Sequence, residues 1–273
     1  MKATTRDKWR RVWQCVLSEV FPDRYTCIFC NKELQEPNRL GVCDACGPTL
    51  PYVGRSFCLK CGKPILPEGA DAPLPCTYDE ELDYLSSADD GTDLVNTYCA
   101  MCRHNPRHFD RVRSVFSYQG EVRRALYRLK FGHAQYMAPY LAAYLADTYL
   151  ADPVAVDLVV AVPMHAVRRR RRGYNQSHLI ARSFAERLRL SYSRTAVRKT
   201  RATDAQTHLS MADRQTNLKG AFAVDSAEVA GKSVLVIDDI LTTGATLSEV
   251  ADALKQAGAV HVYGLTVANV PEH

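Results

Sequence analysis

Two adjacent carboxylates and a threonine-rich loop follow an apolar run late in the chain. Asp238 and Asp239 come directly after a predicted strand over Val234–Ile237, and a helix is expected to begin at Thr246 or just after it. Backbone amides of a loop that opens a helix converge on one point, where the helix dipole adds positive potential. Ionised carboxylates accept hydrogen bonds from neighbouring hydroxyls. The stretch therefore predicts a site for a phosphate beside a diol, which is the chemistry of a ribose 5-phosphate.

The loop between the acids and the helix offers two kinds of phosphate ligand. Thr242, Thr243 and Thr246 supply hydroxyl donors, while Gly244 and Ala245 let a phosphate approach the backbone closely. The alternative is an ordinary strand–turn–helix with a polar turn. Adjacent acids at the end of an apolar strand argue against it, because their charge needs a ligand or metal to offset it. The chain has no GxxxxGK[ST] and no GxGxxG, which excludes the usual P-loop and dinucleotide motifs.

Eight of the ten cysteines form four CxxC pairs, which are Cys27/Cys30, Cys43/Cys46, Cys58/Cys61 and Cys99/Cys102. Two-residue spacing lets both thiolates of a pair face one tetrahedral metal, so two pairs complete a four-cysteine shell. We therefore expect two structural zinc ions; redox motifs of the thioredoxin type do not occur four at a time. Neighbouring pairs could share a metal, or the pairs could interleave. Gly47 and Gly62 directly follow two of the pairs, where a left-handed backbone is expected.

Composition and charge place the chain among soluble globular proteins. It has 273 residues, of which 47% are hydrophobic and 24% charged. No apolar run approaches the ~20 residues that cross a bilayer, and the basic N-terminus lacks a signal peptide's continuous apolar core, so a cytoplasmic location is expected. The formal charge is +5. Eight thiolates (−8) and two Zn²⁺ (+4) would reduce it to about +1, so only local basic clusters argue for nucleic-acid binding.

The sequence divides into three parts. Residues 1–22 carry an amphipathic helix over 8–20, residues 23–108 form a zinc-organised module, and residues 109–273 alternate strands with helices. The module contains an acidic insertion over 67–95. Cys76 in this insertion and Cys15 on the N-terminal helix are expected to be plain thiols.

The last part predicts an α/β domain with a parallel sheet covered on both faces, because its strands are apolar and alternate with helices. Ligands of such domains bind beyond the carboxyl ends of the strands. Strands are predicted over Val112–Tyr118, Leu158–Val162, Val234–Ile237 and Val260–Val267, and helices over Glu121–Lys130, Met137–Leu150, Ser177–Leu190 and Thr246–Ala257.

A second polar segment follows the predicted strand Leu158–Val162, and its strand end faces the same crevice as the phosphate loop. It begins at Pro163 and His165 and continues with five arginines, namely Arg168, Arg169, Arg170, Arg171 and Arg172. Arginine suits polyanions because its planar fork binds phosphate oxygens in pairs. A solvated helix face is the alternative for the first four.

Together these motifs resemble the ComF family, whose members have a type I phosphoribosyltransferase fold preceded by a double zinc ribbon. The resemblance rests on the four cysteine pairs, Leu129–Gly132, Val162–His165, Arg172–Gln176, Gln206–Ser210, Arg214, Asn217–Phe222 and the stretch Asp238–Thr246. That last stretch is similar to the signature that binds phosphoribosyl pyrophosphate (PRPP) in type I phosphoribosyltransferases.

The resemblance implies a role for each matched segment. Asp238 and Asp239 would hold the ribose hydroxyls, and Thr242–Thr246 would hold the 5-phosphate. Pyrophosphate, with Mg²⁺, would lie against Pro163, His165 and Arg172. A mobile flap would carry Gln206, Arg214 and Asn217. Asp239 or His165 could carry a proton, and the sequence does not choose between them.

Three functions remain open at this point. The family implies a PRPP-binding accessory that handles incoming single-stranded DNA in natural transformation, alongside other DNA-uptake proteins. Arg168–Arg171 and the cluster Arg194, Arg198, Lys199 and Arg201 would then contact the DNA backbone. Tyr174, Phe29, Tyr52 and Phe57 are candidate stacking surfaces, with packing as the alternative. The other two functions are a phosphoribosyltransferase of nucleotide salvage and a PRPP-sensing regulator.

Overall fold

The computed structural model describes residues 25–54, 56–65, 98–201 and 219–271. Several predictions lie outside these residues: the helix over 8–20, Cys15, the insertion over 67–95 with Cys76, and the flap residues Gln206, Arg214 and Asn217. Among the described residues, no helix is both long and apolar enough to cross a bilayer.

Four parallel strands form the central sheet, in the order β1–β6–β5–β2. They are β1 (Arg111–Ser117), β2 (Leu158–Ala161), β5 (Ser233–Leu241) and β6 (His261–Asn269). β5 lies in the middle, where Ile237 is in register with Ala161 on one side and Leu265 on the other. The strands are mostly buried, as expected for a parallel sheet covered on both faces. The predicted parallel α/β sheet is confirmed.

Helices pack on both faces of this sheet and enclose two apolar cores. One core joins α2 (Gly120–Phe131), α3 (Ala138–Ala151) and α5 (Gln176–Leu188) to Ile237 and Leu265. The other joins α7 (Ala245–Gln256) to Val236 and Val262. The remaining helices are short: α1 (Ala100–His104), α4 (Ala166–Arg172), α6 (Ser226–Val229), and 3₁₀ turns over Gly47–Thr49 and Gln135–Met137.

The element boundaries differ from the predicted ones where the candidate site lies. β5 continues to Leu241, so Asp238 and Asp239 lie within the strand rather than after it. This part of β5 still pairs with β6, since Asp238 is in register with Thr266, while the Asp239 amide donates to Oδ1 of Asp238. α7 begins at Ala245, one residue before the predicted start. An apolar pattern ends at the first charged side chain, but the strand ends where backbone pairing does.

A second, two-stranded sheet was not predicted. β3 (Val197–Lys199) pairs antiparallel with β4 (Phe222–Val224). The sequence of β3 predicts only part of a basic cluster, because the strand is short and carries two cations. The two strands bracket the stretch that contains the predicted flap, and they bring its two ends together through the Thr200 amide, which donates to the carbonyl of Ala221.

The cysteine-rich segment packs directly on the sheet and its helices. The Arg128 guanidinium of α2 donates to the carbonyls of Ile28 (2.6 Å) and Phe29 (2.8 Å). At the edge of the sheet, the Val112 amide of β1 donates to the carbonyl of Lys60 (2.8 Å). Ile28 and Phe29 are fully buried in the core beneath α2 and α3. The cysteine-rich segment therefore shares the core of the α/β domain. This packing stabilises the segment in addition to any stabilisation from bound metal.

Candidate functional site

Charged side chains gather at the carboxyl end of β5, where β2 also ends, and we call this region the crevice. Four parts surround it: the last residues of β5, the loop before α7, the end of α2 with Lys130, and the segment from Pro163 to Ser177 that follows β2. The two predicted segments do meet here, because Ser177 at the start of α5 contacts Asp238.

The loop that opens α7 has the backbone expected of a phosphate cradle. Gly244 adopts φ +76° and forms the N-cap of the helix. A Cβ at this position would meet no atom closer than 3.7 Å, so glycine is required for its conformation rather than for space. The Thr243 hydroxyl accepts a hydrogen bond from the Ala245 amide (3.3 Å). Thr242 is exposed and Thr243 and Thr246 are half-buried, so all three residues are at least partly accessible.

Asp238 lies in an environment that disfavours its charge. Its Oδ1 accepts hydrogen bonds from the Ser177 hydroxyl (2.8 Å) and from the Asp239 amide (2.9 Å). Burial, followed by the charge of Asp239, raises its pKa to about 7, and these hydrogen bonds only partly oppose the rise. A carboxyl group that titrates near neutrality at a strand end is typical of a ligand site rather than of plain structure.

Asp239 points to a different partner, as expected for neighbours in a strand whose side chains alternate between faces. Its side chain is nearly buried, and the Lys130 ammonium lies 2.9 Å from Oδ2. Lys130 is the next-to-last residue of α2, more than a hundred residues earlier in the chain. The pair places a cation beside the carboxylates.

Arg172 adds a second cation at the same edge. Its guanidinium donates to Oε1 of Gln176 (2.7 Å) and lies 5.0 Å from the ring centroid of Phe131. Burial lowers the pKa of Arg172, and the nearby Asp239 charge opposes that change. Gly173, with φ +87°, ends α4 directly after Arg172, and the chain turns there towards α5.

Asn175 joins the segment after β2 to the start of α5. Its Nδ2 donates to the carbonyl of Val162 (3.0 Å), and its Oδ1 accepts from the Ser177 amide (3.1 Å) as the N-cap of α5. One buried amide therefore fixes the position of the Ser177 hydroxyl that contacts Asp238. The Arg172–Gln176 motif therefore contributes to the crevice in two ways: Arg172 supplies a cation, and Asn175 positions Ser177.

Lys199 of β3 completes the charged set. Burial lowers its pKa to about 8, helped by the charge of Arg168 and opposed by that of Asp238. Its ammonium lies 5.5 Å from the ring centroid of Phe222 on β4. Lys199, at the base of the predicted flap, is thus close enough to the crevice to interact electrostatically with Asp238 and with Arg168 of α4.

The other predicted site residues lie on the segment after β2. Pro163 is buried, His165 is half-buried and precedes α4, and Arg168, Arg169, Arg170 and Arg171 are exposed along that helix. The solvated-helix alternative is therefore correct for their structure, and it leaves their cations available.

Tyr174 does not fit its predicted role as a stacking surface. Only 7% of it is exposed, and its hydroxyl donates to the carbonyl of Leu129. Phe29 is fully buried, and it contacts the Phe116 ring edge-on at 5.8 Å. Tyr52 packs on Phe116 as well, with 4.9 Å between their ring centroids. For these three rings the packing alternative is the correct one.

Sequence reasoning gives no site role to Lys130 or Ser177, and it places Lys199 only in the basic cluster that would contact DNA. Each of the three reaches the crevice only through the tertiary fold. The signals that the sequence offers are the Leu129–Gly132 segment, which contains Lys130, and the basic cluster, which contains Lys199.

The eight cysteines among the described residues form two groups of four, each made of neighbouring pairs. The first is Cys27, Cys30, Cys43 and Cys46, and the second is Cys58, Cys61, Cys99 and Cys102. Within each group all four sulfurs lie within 4.8 Å of one another. A tetrahedral zinc with Zn–S bonds of about 2.3 Å places its sulfurs about 3.8 Å apart. The contacts Cys30–Cys43 and Cys61–Cys99 are both 3.7 Å, so the residues fit structural zinc.

Backbone amides surround the sulfurs, as expected of thiolate ligands. The Cys99 amide donates to Sγ of Cys58 (3.3 Å), and the Cys43 amide donates to Sγ of Cys27 (3.5 Å). Gly62 has the expected left-handed backbone, with φ +68°. The expectation for Gly47 was wrong, because this residue begins a 3₁₀ turn instead.

Comparison with known proteins finds two family models. The "Phosphoribosyl transferase domain" matches residues 142–272, and the "Double zinc ribbon domain" matches residues 16–77. The first match begins after β1 and α2, although both belong to the same sheet and core. The second ends before Cys99, although the structure places Cys99 and Cys102 with the third cysteine pair.

Curated relatives match more than half of this chain and about three quarters of their own length. "DNA utilization protein YhgH" of Salmonella typhi is 33% identical over 169 residues, which cover 60% of this chain and 74% of the relative. The protein of the same name from Escherichia coli (strain K12) is 33% identical over 172 residues, with the same shares. "Competence protein F" of Haemophilus influenzae is 30% identical over 177 residues, covering 62% of this chain and 77% of that protein.

Proposed function

Because the chain belongs to the ComF family of phosphoribosyltransferase-fold proteins with a double zinc ribbon, we propose that its charged crevice binds PRPP. One observation carries the proposal: Asp238, with a pKa near 7, lies beside Asp239 at the end of β5, and the left-handed Gly244 then opens α7. The acids suit the two ribose hydroxyls, and the loop amides with Thr242, Thr243 and Thr246 suit the 5-phosphate.

The cations of the crevice suit the pyrophosphate group. Lys130 and Arg172 lie near Asp239. Pro163 and His165 begin the segment that leads to Arg172. Mg²⁺ that arrives with PRPP would neutralise part of the pyrophosphate charge. The protein then needs only to orient the donor and hold its charge, which is how a displacement at ribose C1 is assisted. An unliganded crevice holds the acids and cations together, and a bound ligand takes over their hydrogen bonds.

Ligand-dependent stability tests this proposal. With zinc-loaded protein, PRPP and Mg²⁺ should raise the melting temperature in a concentration-dependent way, because a ligand that binds only the folded state stabilises it. The double variant Asp238→Asn/Asp239→Asn keeps the shape of both side chains and should lose the shift. Ribose 5-phosphate should give a smaller shift than PRPP. An equal shift in the double variant, or none in the wild type, contradicts the proposal.

A second function, handling of single-stranded DNA, is favoured by the arginine helix and by the relatives named for DNA utilization and competence. Arg168–Arg171 are exposed on α4, beside the crevice, with no carboxylate on that helix. We propose that these residues contact the phosphates of incoming single strands. Each neutralised phosphate releases counterions, so the affinity should fall steeply with salt.

The test compares wild type with the variant Arg168→Ala/Arg170→Ala at several salt concentrations. Losing two phosphate contacts should weaken binding of single strands and reduce the slope of log K against log salt by about 0.7 per contact. Arg182→Ala is a matched control, because that exposed arginine on α5 is paired with Glu186 instead. Identical salt slopes for wild type and the α4 variant would remove α4 from the DNA-binding surface.

A further inference from the structure

The exposed face of α2 combines aromatic rings with arginines. Tyr127 is 61% exposed and Phe131 is 59% exposed, which is unusual for large rings on a helix that also packs on a core. They are four residues apart, so they lie on one face of the helix. Their ring centroids are 4.9 Å apart. Arg123 lies one further turn towards the N-terminus and is exposed as well.

The row of rings continues beyond α2 to the arginine helix. The Arg172 guanidinium lies 5.0 Å from the ring centroid of Phe131, which also contacts Tyr127. Arg172 is the last residue of α4, and Arg168–Arg171 precede it. The contacts therefore form a continuous series, Tyr127–Phe131–Arg172, that ends at the four exposed arginines and at the edge of the crevice.

Two exposed arginines of α2, Arg123 and Arg124, lie near this face. Arg124 pairs with Glu121, the one acidic residue of the helix, at 2.8 Å. An open recess along the same helix is lined by Gly120, Arg123, Arg124, Tyr127 and Arg128. A protein partner that covered exposed rings would ordinarily meet an apolar patch, whereas here cations flank the rings on both sides. That combination suits a polyanion with flat apolar faces.

We propose that the row Arg123–Tyr127–Phe131, continued by Arg172, is a surface on which single-stranded DNA stacks its bases. The rings receive the base faces, and Arg123, Arg124 and the α4 arginines receive the phosphates. The proposal rests on the DNA-handling function above and assigns the stacking role to rings other than Tyr174, Phe29 and Tyr52, which are packed. Duplex DNA, whose bases are already stacked, gains nothing from the rings.

The position of this surface also relates DNA to the crevice. Phe131 follows Lys130, the partner of Asp239, and Phe131 itself contacts Arg172. A strand stacked on Phe131 would therefore lie next to two cations that the PRPP proposal uses. We expect PRPP to change the affinity for single strands, since both ligands draw on Arg172.

The experiment titrates a fluorescein-labelled oligothymidylate of about 20 nucleotides, longer than one ordinary binding site, with zinc-loaded full-length protein, and follows anisotropy. The variant Tyr127→Leu/Phe131→Leu keeps apolar side chains but removes the π-faces, and it should bind at least about tenfold more weakly. The variant Tyr127→Phe/Phe131→Tyr keeps both rings and should bind like the wild type. Tyr127→Leu alone should keep the full PRPP-dependent rise in melting temperature.

A second readout locates the strand directly. An oligonucleotide that carries 5-iodouracil should crosslink under ultraviolet light to Tyr127 or Phe131, identified by mass spectrometry of the digested protein. A leucine variant with wild-type affinity, or crosslinks confined to other parts of the chain, overturns the stacking surface while leaving PRPP binding intact. If the wild type binds no single-stranded DNA, both the stacking surface and the DNA-handling function are wrong. The PRPP-dependent rise in melting temperature tests PRPP binding separately, so it shows whether the crevice still binds its ligand in that case.

Discussion

The cysteine clusters and the acidic crevice each bring groups of like charge together. The two regions stabilise these charges by different means. In the clusters, each group of four sulfurs comes from two short CxxC motifs, and its spacing fits a metal that neutralises the charge. In the crevice, Asp238 and Asp239 are adjacent, but their partners Ser177 and Lys130 come from distant helices. In the clusters, local spacing determines the two ligands of each CxxC pair. The arrangement in the crevice exists only once the fold is complete.

This difference separates stability from function. The clusters lie within the two shared cores, so their metal should stabilise the whole domain. The crevice keeps a carboxyl group with a raised pKa, which costs stability and which a bound ligand would offset. Changes in the clusters should therefore mainly lower stability. Changes in the crevice should alter ligand binding and its pH dependence, and they should also lower stability where a buried charge loses its partner.

The largest effect is expected from breaking a cluster. Cys99→Ala removes one ligand of the second cluster and keeps the backbone amide that donates to Sγ of Cys58, so metal content should fall from two zinc ions to one. Structural zinc sites contribute on the order of 10 kcal/mol at neutral pH, which exceeds the stability of most domains. We expect aggregation or a large loss of melting temperature, measured together with zinc content by mass spectrometry.

Cooperativity decides whether the cluster belongs to the domain. If the cores are shared, a chelator should unfold the α/β domain and the zinc module in one transition. A residual native-like transition of the α/β domain after complete metal removal would show two independent units.

Removing Lys130 tests the crevice in the same terms. Lys130→Met leaves the nearly buried Asp239 without its cation, which should destabilise the protein by about 3–5 kcal/mol in urea unfolding. Adding Asp239→Asn removes the stranded charge and should recover most of that loss. If the double variant is no more stable than Lys130→Met, the ion pair is not what holds this part of the crevice.

Two glycines with similar backbones compare the regions directly. Gly62 has φ +68° and Gly244 has φ +76°, but a Cβ at Gly62 would lie 2.5 Å from the carbonyl oxygen of Val112, whereas a Cβ at Gly244 meets nothing closer than 3.7 Å. Gly244→Ala should cost about 1–2 kcal/mol from backbone strain alone. Gly62→Ala adds the clash and should cost about 2–5 kcal/mol. Thermal unfolding of both variants measures the difference, and equal losses would contradict the packing at Gly62.

The most gradual effect is a pH dependence that belongs to Asp238. Its folded-state pKa of about 7 lies above the ordinary value, so between those values the folded protein holds a proton that the unfolded chain releases. Stability from this group is therefore present at low pH and is lost as pH rises towards 7. The slope is at most about 1.4 kcal/mol per pH unit for one proton.

Asp238→Asn isolates this contribution, because asparagine does not titrate. The stability of the wild type minus that of the variant should decrease between about pH 5 and pH 7 and then level off, as measured by urea unfolding. Titration of the zinc thiolates is common to both proteins and cancels. A difference that does not change over this range would mean that Asp238 keeps an ordinary pKa.

Local patterns predicted what depends on neighbours in sequence. The parallel sheet, the four CxxC pairs and the loop of Gly244 follow from apolar runs, two-residue spacing and turn chemistry. The sequence leaves open which pairs share a metal, and the structure groups neighbouring pairs. Boundaries were less accurate at Asp238 and Asp239, because strand pairing continues through charged residues when the neighbouring strand offers backbone partners. The strand β3 was missed because three residues rich in cations carry no strand pattern.

Side-chain exposure was the part that sequence could not give. Tyr174 and Tyr127 are both tyrosines near arginines, yet one is 7% exposed and the other 61%. The difference follows from which face of the chain meets the core, and this depends on how α2 and α5 pack. The partners of the acids are decided in the same way. Pattern therefore identifies the ligand class, while tertiary packing decides which side chains are free to meet it.

The most direct test is a crystal structure of the zinc-loaded protein with PRPP and Mg²⁺. The account predicts the 5-phosphate within hydrogen-bond distance of the amides from Thr242 to Thr246, with the ribose hydroxyls on Asp238 and Asp239 and the Lys130 ammonium turned towards the pyrophosphate. A donor bound elsewhere on the protein, or a crevice that keeps the contact between Lys130 and Asp239 while excluding the sugar, would contradict it.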